Sequence, residues 1–444
     1  MILLGAPLVL ATMLQAPVPA QRSSPDVVPQ ARGILTALVA GDFATVEKQF
    51  TNDMKAALPA GALAAMWTKL LNQTGAYKGC GTDARVRRID DKEMVITPCE
   101  FERMTIDIQF AFDRAGRVSG LVFRPSVRTA AGYTLPSYAK SSSFVEREVT
   151  FGSSEWALPA TLTVPAGTGP WPGLVLVHGS GPHDRDETIG ANKPFKDLAT
   201  GLASRGIAVF RYDKRTMVHG AKVAALKNFT VRQEVIEDVL EAVTALRAQP
   251  LIDPKRVFVL GHSLGGMLIP RIATADPTIA GLIVLAGAAR PLEEAIVAQT
   301  RYLTLADATI STEEQQAIDR ATAIADSVRA LKTEEATTGR MISGAPASYW
   351  LDLRGYDPPS EAKRVKAPML ILHGERDYQV TAEEFARWKA ALGSRRDVTV
   401  HSYPALNHLF IAGTGPSLPA EYQVPGHVAE EVIRDIATWI MTSR

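Results

Sequence analysis

Five short, continuous apolar runs constrain this chain more than any other feature. They are Leu174-Val175-Leu176-Val177, Ile207-Ala208-Val209-Phe210, Val257-Phe258-Val259-Leu260, Leu282-Ile283-Val284-Leu285 and Met369-Leu370-Ile371-Leu372. A strand that is apolar at every position must be buried on both faces, and a parallel sheet covered by helices provides that. Helical patterns separate the runs, notably over residues 230–249, 381–392 and 427–441. The order predicts an α/β architecture, a mostly parallel, doubly wound sheet. One segment breaks the alternation. Residues 291–350 read as helices inserted between two strands, and an insertion there would lie over the carboxyl ends of the strands, where ligands bind in such sheets.

The chain has 444 residues, which suits two domains. Residues 28–125 read as a small α+β unit. Apolar residues recur every three or four positions in 31–38 and 61–71, then alternate in Ala84–Ile89, Met94–Ile96 and Met104–Phe110, with a last strand over Val118–Phe123. A Ser-, Ala-, Thr- and Pro-rich linker spans 126–143, and residues 144–444 form the second domain. Residues 1–20 are apolar and end in Val18-Pro19-Ala20, a small-x-small pattern that predicts a removed signal peptide and a secreted or periplasmic protein. The segment lacks a positive n-region and is broken by Pro7 and Pro17. In an exported chain, Cys80 and Cys99 read as a disulfide, with two buried thiols as the alternative. No later run approaches the length of a membrane span. Lys and Arg total 48 against 47 Asp and Glu, so no single-sign field favours nucleic acid or an anionic membrane as the main partner.

The candidate chemistry sits at the ends of the apolar runs. Gly261-His262-Ser263-Leu264-Gly265 lies between a buried strand and a helix start, the setting of a nucleophile elbow. The tight turn holds serine in a strained conformation, and side chains two positions either side would collide. His178-Gly179-Ser180-Gly181 follows another strand and resembles the oxyanion-hole loop of lipases and esterases, in which backbone amides face the oxyanion. Those of Ser180 and Leu264 are the expected oxyanion donors, with Gly181 as the competitor for the first. Gly374-Glu375-Arg376-Asp377-Tyr378-Gln379-Val380 follows a late strand and resembles the Gly-x-x-Asp-x-x-Val turn that carries the acid in α/β-hydrolases, which implies Asp377 as the orienting acid, with Glu375 as the competitor. Asn407-His408 follows another strand and resembles the catalytic histidine loop of the same family, which implies His408 as the base, whereas His401 and His427 read as structural. The charged run 183–187 reads either as a site rim or as a solvated loop, and Arg211–Arg215 as an ion-pair network beside the site. The eight histidines show no zinc-type spacing, and neither a metal nor a cofactor is expected.

These motifs, in the order Ser263, Asp377, His408, resemble those of the α/β-hydrolase superfamily over about 300 residues. The resemblance implies the α/β-hydrolase fold and acyl transfer to water through a covalent acyl-enzyme. Phe43, Met54-Lys55, Leu58-Pro59, Trp67, Gly75, Cys99-Glu100-Phe101-Glu102 and Gly120-Leu121 resemble a domain of unknown function found ahead of hydrolase domains in secreted bacterial proteins. It reads as a binding, dimerisation or stabilising module. The layout as a whole resembles secreted esterases, which implies a small-molecule carboxylic ester as substrate. Two other readings stand beside it. A peptidase of the prolyl oligopeptidase or aminopeptidase kind would need acidic residues over the site, for which Glu293, Glu294, Glu313 and Glu314 are candidates. A non-catalytic binding protein on the same fold is the third.

Overall fold

The computed structural model describes residues 27–59, 61–81, 84–89, 92–102, 105–125, 133–305 and 310–443. The expected leader 1–20 lies outside them, as do residues 126–132 of the expected linker. The described residues fall into two compact units that divide between residues 128 and 129.

In the first unit, helices α1 (Val27–Val39), α2 (Phe43–Lys48), α3 (Asn52–Ala57) and α4 (Ala62–Thr74) precede strands β1 (Tyr77–Cys80), β2 (Arg85–Ile89), β3 (Lys92–Phe101), β4 (Thr105–Phe112) and β5 (Val118–Pro125). β3, β4 and β5 run antiparallel, and β1 and β2 both pair with β3. The apolar stripes of α1 (Ala31, Ile34, Leu35, Leu38) and α4 (Leu63, Trp67, Leu70) share a core with Val95, Phe101, Ile106, Ile108 and Phe110 of the sheet. Alternation along the strands gives the sheet one apolar face, and that face needs the helices. α2 and α3 are too short to show periodicity. They are fixed locally by their N-caps, where Asp42 and Thr51 accept from the amides of Thr45 and Met54. Cys80 and Cys99 are directly opposite on β1 and β3 and are joined by a disulfide.

The second unit begins with β6 (Phe144–Phe151), β7 (Leu158–Pro165), β8 (Trp171–Val177), α5 (Pro194–Ala203) and β9 (Ala208–Tyr212). Two short helices, α6 (Arg215–Val218) and α7 (Gly220–Ala224), and a π-helical turn over Arg232–Ile236 lead into α8 (Glu237–Arg247). β10 (Ile252–His262), α9 (Leu264–Ala275) and β11 (Gly281–Leu285) follow. An insertion then carries α10 (Leu292–Thr304), α11 (Thr312–Arg329), the ribbon β12 (Met341–Ile342) and β13 (Ala345–Pro346), α12 (Ala347–Leu353) and α13 (Pro358–Ala362). β14 (Met369–Gly374), α14 (Ala382–Leu392), β15 (Val398–Tyr403) and α15 (Glu430–Thr442) complete the chain.

The eight-stranded sheet has the order β15-β14-β11-β10-β8-β9-β7-β6. It is parallel from β15 to β9, with β7 and β6 antiparallel at one edge. Each apolar run feeds two cores. Val175 and Val177, with Val257 and Val259, face one core with α8 and α9, while Leu174, Leu176, Phe258 and Leu260 face another with α5 and α15. β8 is the topological switch, because the chain passes from β8 to β9 on one side and returns through β10 on the other. A crevice therefore opens at the carboxyl ends of β8 and β10. Among the described residues no helix is long and apolar enough to cross a membrane.

Candidate active site

Ser263 stands in that crevice, between the end of β10 and the first turn of α9. Its backbone is in a positive-φ conformation (φ 54°, ψ −115°), and its amide is held by Leu285 O at 3.0 Å. The flanking glycines have a packing cause. A Cβ on Gly261 would lie 2.3 Å from the Gly265 backbone, and one on Gly265 would lie 2.4 Å from Val177 O. The first amides of α9, including that of Leu264, have no intrahelical acceptor, so the serine sits at the positive end of the helix dipole.

Asp377 and His408 come together from two loops, after β14 and after β15. Asp377 Oδ2 lies 2.6 Å from His408 Nδ1. Asp377 Oδ1 accepts from the amides of Gln379 at 2.8 Å and Val380 at 3.0 Å, which fixes the carboxylate plane. Gly374 lets the loops approach, since a Cβ there would lie 2.5 Å from Leu406 O. Both side chains are buried. Glu375 points elsewhere and accepts from Ser402 Oγ at 2.7 Å. His401 is exposed, and His427 pairs with Asp197 at 3.0 Å. Among the described residues Ser263 Oγ makes no hydrogen bond, to His408 or elsewhere. Such contacts are often long without substrate and tighten when it binds.

The floor beside Ser263 is built from buried charges, drawn from the run 183–187 and from the expected ion-pair network of Arg211–Arg215. Glu187 is 1% exposed and has a left-handed φ of 49°, a conformation that costs a residue with a Cβ about 1–2 kcal/mol. Its Oε1 accepts from Gly179 N–H at 2.7 Å, and its Oε2 lies 2.9 Å from His262 Nδ1. The second contact is an ion pair, not a well-aligned hydrogen bond. His262 Nε2 donates to His408 O at 3.0 Å. Burial opposes charge on both partners, but each charge stabilises the other. Glu187 is held down at about 2, and His262 is raised above its ordinary value. Lys214, 2% exposed, donates to Gly179 O at 2.7 Å and lies 2.6 Å from Glu234. His178 is pushed down to about 3 by burial and stays neutral, with Nε2 donating to Asp184 O at 3.1 Å. Arg185 and Asp186 pair with Asp213 and Arg211 at 2.9 and 3.0 Å, so the charged run 183–187 is stitched into the protein and is not a solvated loop. The only advance signal was its position, directly after a buried strand.

A cavity of about 500 Å³ opens from Ser263. Among the residues lining it are Ser180, Gly181 and Leu264, together with Val223, Leu226, Phe229, Met267, Leu292, Ile296, Tyr349 and Trp350. Residues 292–299 and 341–350 of the insertion form its roof. Of the described residues lining it, Glu234 alone carries a charge, and Lys214 neutralises that charge. Among the described residues no cluster of His, Cys, Asp and Glu could hold a metal ion.

A family model described as serine aminopeptidase, S33, matches residues 173–413. The chain belongs to this family of α/β-hydrolases, and it is a hydrolase enzyme. Residues 31–121 match a family described as a protein of unknown function. The hydrolase is 40% identical over 404 residues to esterase EstD of Thermotoga maritima, covering 91% of this chain and 93% of that one. It is 30% identical over 124 residues to thiohydrolase apmlB of Arthrinium phaeospermum, covering 27% and 40%. Among solved structures it is similar to Est1E from Butyrivibrio proteoclasticus, with a TM-score of 0.42 and 16% identity over 66% of this chain and 98% of that one. An esterase of Pyrococcus furiosus gives a TM-score of 0.42 and 15% identity over 71% and 96%.

Proposed function

We propose that this hydrolase is an exported serine esterase that cleaves carboxylic esters with an apolar acyl group. Ser263 is the nucleophile, His408 the general base and Asp377 the group that orients it. The Ser263 hydroxyl gives its proton to His408 Nε2 as Oγ attacks the acyl carbon. The amides of Ser180 and Leu264 receive the oxyanion. His408 then protonates the departing alcohol, and a water activated by the same nitrogen releases the acid from Ser263. In this reading residues 28–125 are an accessory domain, 144–444 the catalytic domain and 291–350 its lid. Export rests on the apolar segment 1–20 together with the Cys80–Cys99 disulfide, which suits an oxidising compartment.

The observation that carries this reading is the apolar cavity at Ser263. An aminopeptidase must hold a substrate ammonium, and Glu234, the acid on the cavity wall, is already engaged by Lys214. Glu313 and Glu314 stand on the exposed first turn of α11, where Glu314 closes a capping box with Ser311. Neither Glu293 nor Glu294 lines the cavity. The esterase relative adds weight over nearly the whole chain. The test compares wild type and Ser263→Ala on matched p-nitrophenyl esters and aminoacyl p-nitroanilides. Fast ester cleavage that Ser263→Ala abolishes is expected. Anilides cleaved as well as esters would move the enzyme to the peptidases, and activity surviving in Ser263→Ala would relocate the site.

A further inference from the structure

We infer that Lys214 and Glu187 are positioning residues that hold the oxyanion loop from both ends of Gly179. The inference rests on Ser263 being the nucleophile. Gly179 is the residue between His178, which follows β8, and the proposed donor Ser180. Its N–H donates to Glu187 Oε1 at 2.7 Å, and its carbonyl accepts from Lys214 Nζ at 2.7 Å. A peptide unit is planar and trans, so the carbonyl of Gly179 and the N–H of Ser180 point to opposite sides of one plate. A grip on the oxygen is therefore a grip on the direction of the Ser180 amide. That amide must be aimed before the reaction, because a preorganised donor needs no rearrangement as charge develops.

Both grips are themselves anchored. Lys214 lies 2.6 Å from Glu234, whose π-helical turn forms part of the cavity wall. Glu187 lies 2.9 Å from His262, the residue before Ser263, and His262 donates onward to His408 O at 3.0 Å. One carboxylate thus ties together the oxyanion loop, the elbow and the loop of the base. The loop packs closely against the elbow: a Cβ on Gly179 would lie 3.2 Å from Ser263 Cβ and 3.3 Å from Glu187 Oε1. Buried ion pairs contribute little net stability against apolar replacements of the same shape. What two of them fixed to a single glycine supply is direction.

The full-length protein carries the test, as wild type, Lys214→Met, Lys214→Arg and Glu187→Gln. A p-nitrophenyl ester gives kcat and KM, and an alkyl trifluoromethyl ketone, whose adduct with Ser263 is an oxyanion, gives a Ki. Lys214→Met is expected to lose about 100-fold in kcat, as for one oxyanion donor, with KM nearly unchanged and Ki raised in step with the fall in kcat. Lys214→Arg, which keeps the charge, should recover part of it. Glu187→Gln retains an acceptor for Gly179 N–H and should lose less than Lys214→Met. Wild-type kcat and Ki in a folded Lys214→Met would overturn the inference while leaving the esterase reading intact. If Lys214→Met does not fold, wild-type values in both Lys214→Arg and Glu187→Gln would overturn it equally. A wild type that cleaves no ester but is phosphonylated at Ser263 by a fluorophosphonate, with labelling slowed in Lys214→Met, would sink the esterase reading and keep the inference.

Discussion

The buried floor behind Ser263 and the roof of the cavity are built on opposite principles. Under Ser263 the floor holds paired charges almost without exposure, Lys214 with Glu234 and Glu187 with His262, beside the buried contact of His408 with Asp377. Over it, the insertion contributes Leu292, Ile296, Tyr349 and Trp350, which meet the cavity as apolar surface. Its charges turn outward, as in the exposed pair Arg329 and Asp326 on α11 at 2.9 Å. A buried ion pair tolerates little displacement before it leaves an unpaired charge in a poor solvent. Apolar contacts have no such angular demand and can repack. The floor is therefore suited to fixing reacting atoms, and the roof to choosing a substrate by size.

That contrast predicts different kinetic signatures for the two regions. The largest effect is expected for Asp377→Asn, which should lower kcat by about 10⁴-fold because the amide favours the wrong tautomer of His408. Steady-state kinetics at fixed pH would show it, and a loss under tenfold would mean that Asp377 does not orient the base. Gly265→Ala comes next, since its Cβ would meet Val177 O at 2.4 Å. A destabilisation of roughly 1–3 kcal/mol in urea unfolding is expected from such overpacking, whereas an unchanged midpoint would show that the elbow has slack. On the roof, Ile296→Phe narrows the cavity. It should cost about tenfold in kcat/KM for long acyl chains and nothing for acetyl esters. An equal loss for all chain lengths would erase the distinction between floor and roof.

A further effect concerns pH. Folded His178 takes no proton until about pH 3, whereas the unfolded chain takes one near the ordinary histidine value of about 6.5. The unfolded state binds more protons in that window, so stability falls as pH drops, by about 1.4 kcal/mol per unit from this group. Unfolding of His178→Gln between pH 4 and 6 should show a shallower slope, and an identical slope would mean that His178 titrates in the folded protein. His262 has the opposite sign. Its raised value adds stability that is complete below about 6.5 and disappears as pH rises through the folded value.

Much of this architecture was legible from the residues. Runs such as Val257–Leu260 are short and apolar at every position, as a strand covered on both faces requires. Ser263, Asp377 and His408 were visible as candidates because each follows such a strand or a turn with its own glycine or asparagine signature. β1, α2 and α3 were not visible, because elements of four to six residues carry no period. Arg211–Arg215 was legible as an ion-pair network beside the site, but the burial of Lys214 and Glu187 was hidden for a different reason. Charged residues default to the surface, and nothing local in Asp213-Lys214-Arg215 or Asp186-Glu187 tells that two of them are sealed inside with partners 20 and 75 residues away. Depth is a property of the fold, and the strained φ of Glu187 is imposed by the same packing.

The most direct test of the central claim is the intact mass of the full-length enzyme during turnover of a slowly deacylating p-nitrophenyl ester. The account predicts a species heavier by one acyl group, with the modification on the peptide that contains Ser263, and its absence in Ser263→Ala. An acyl group found on another residue, or hydrolysis that proceeds in Ser263→Ala, would contradict it.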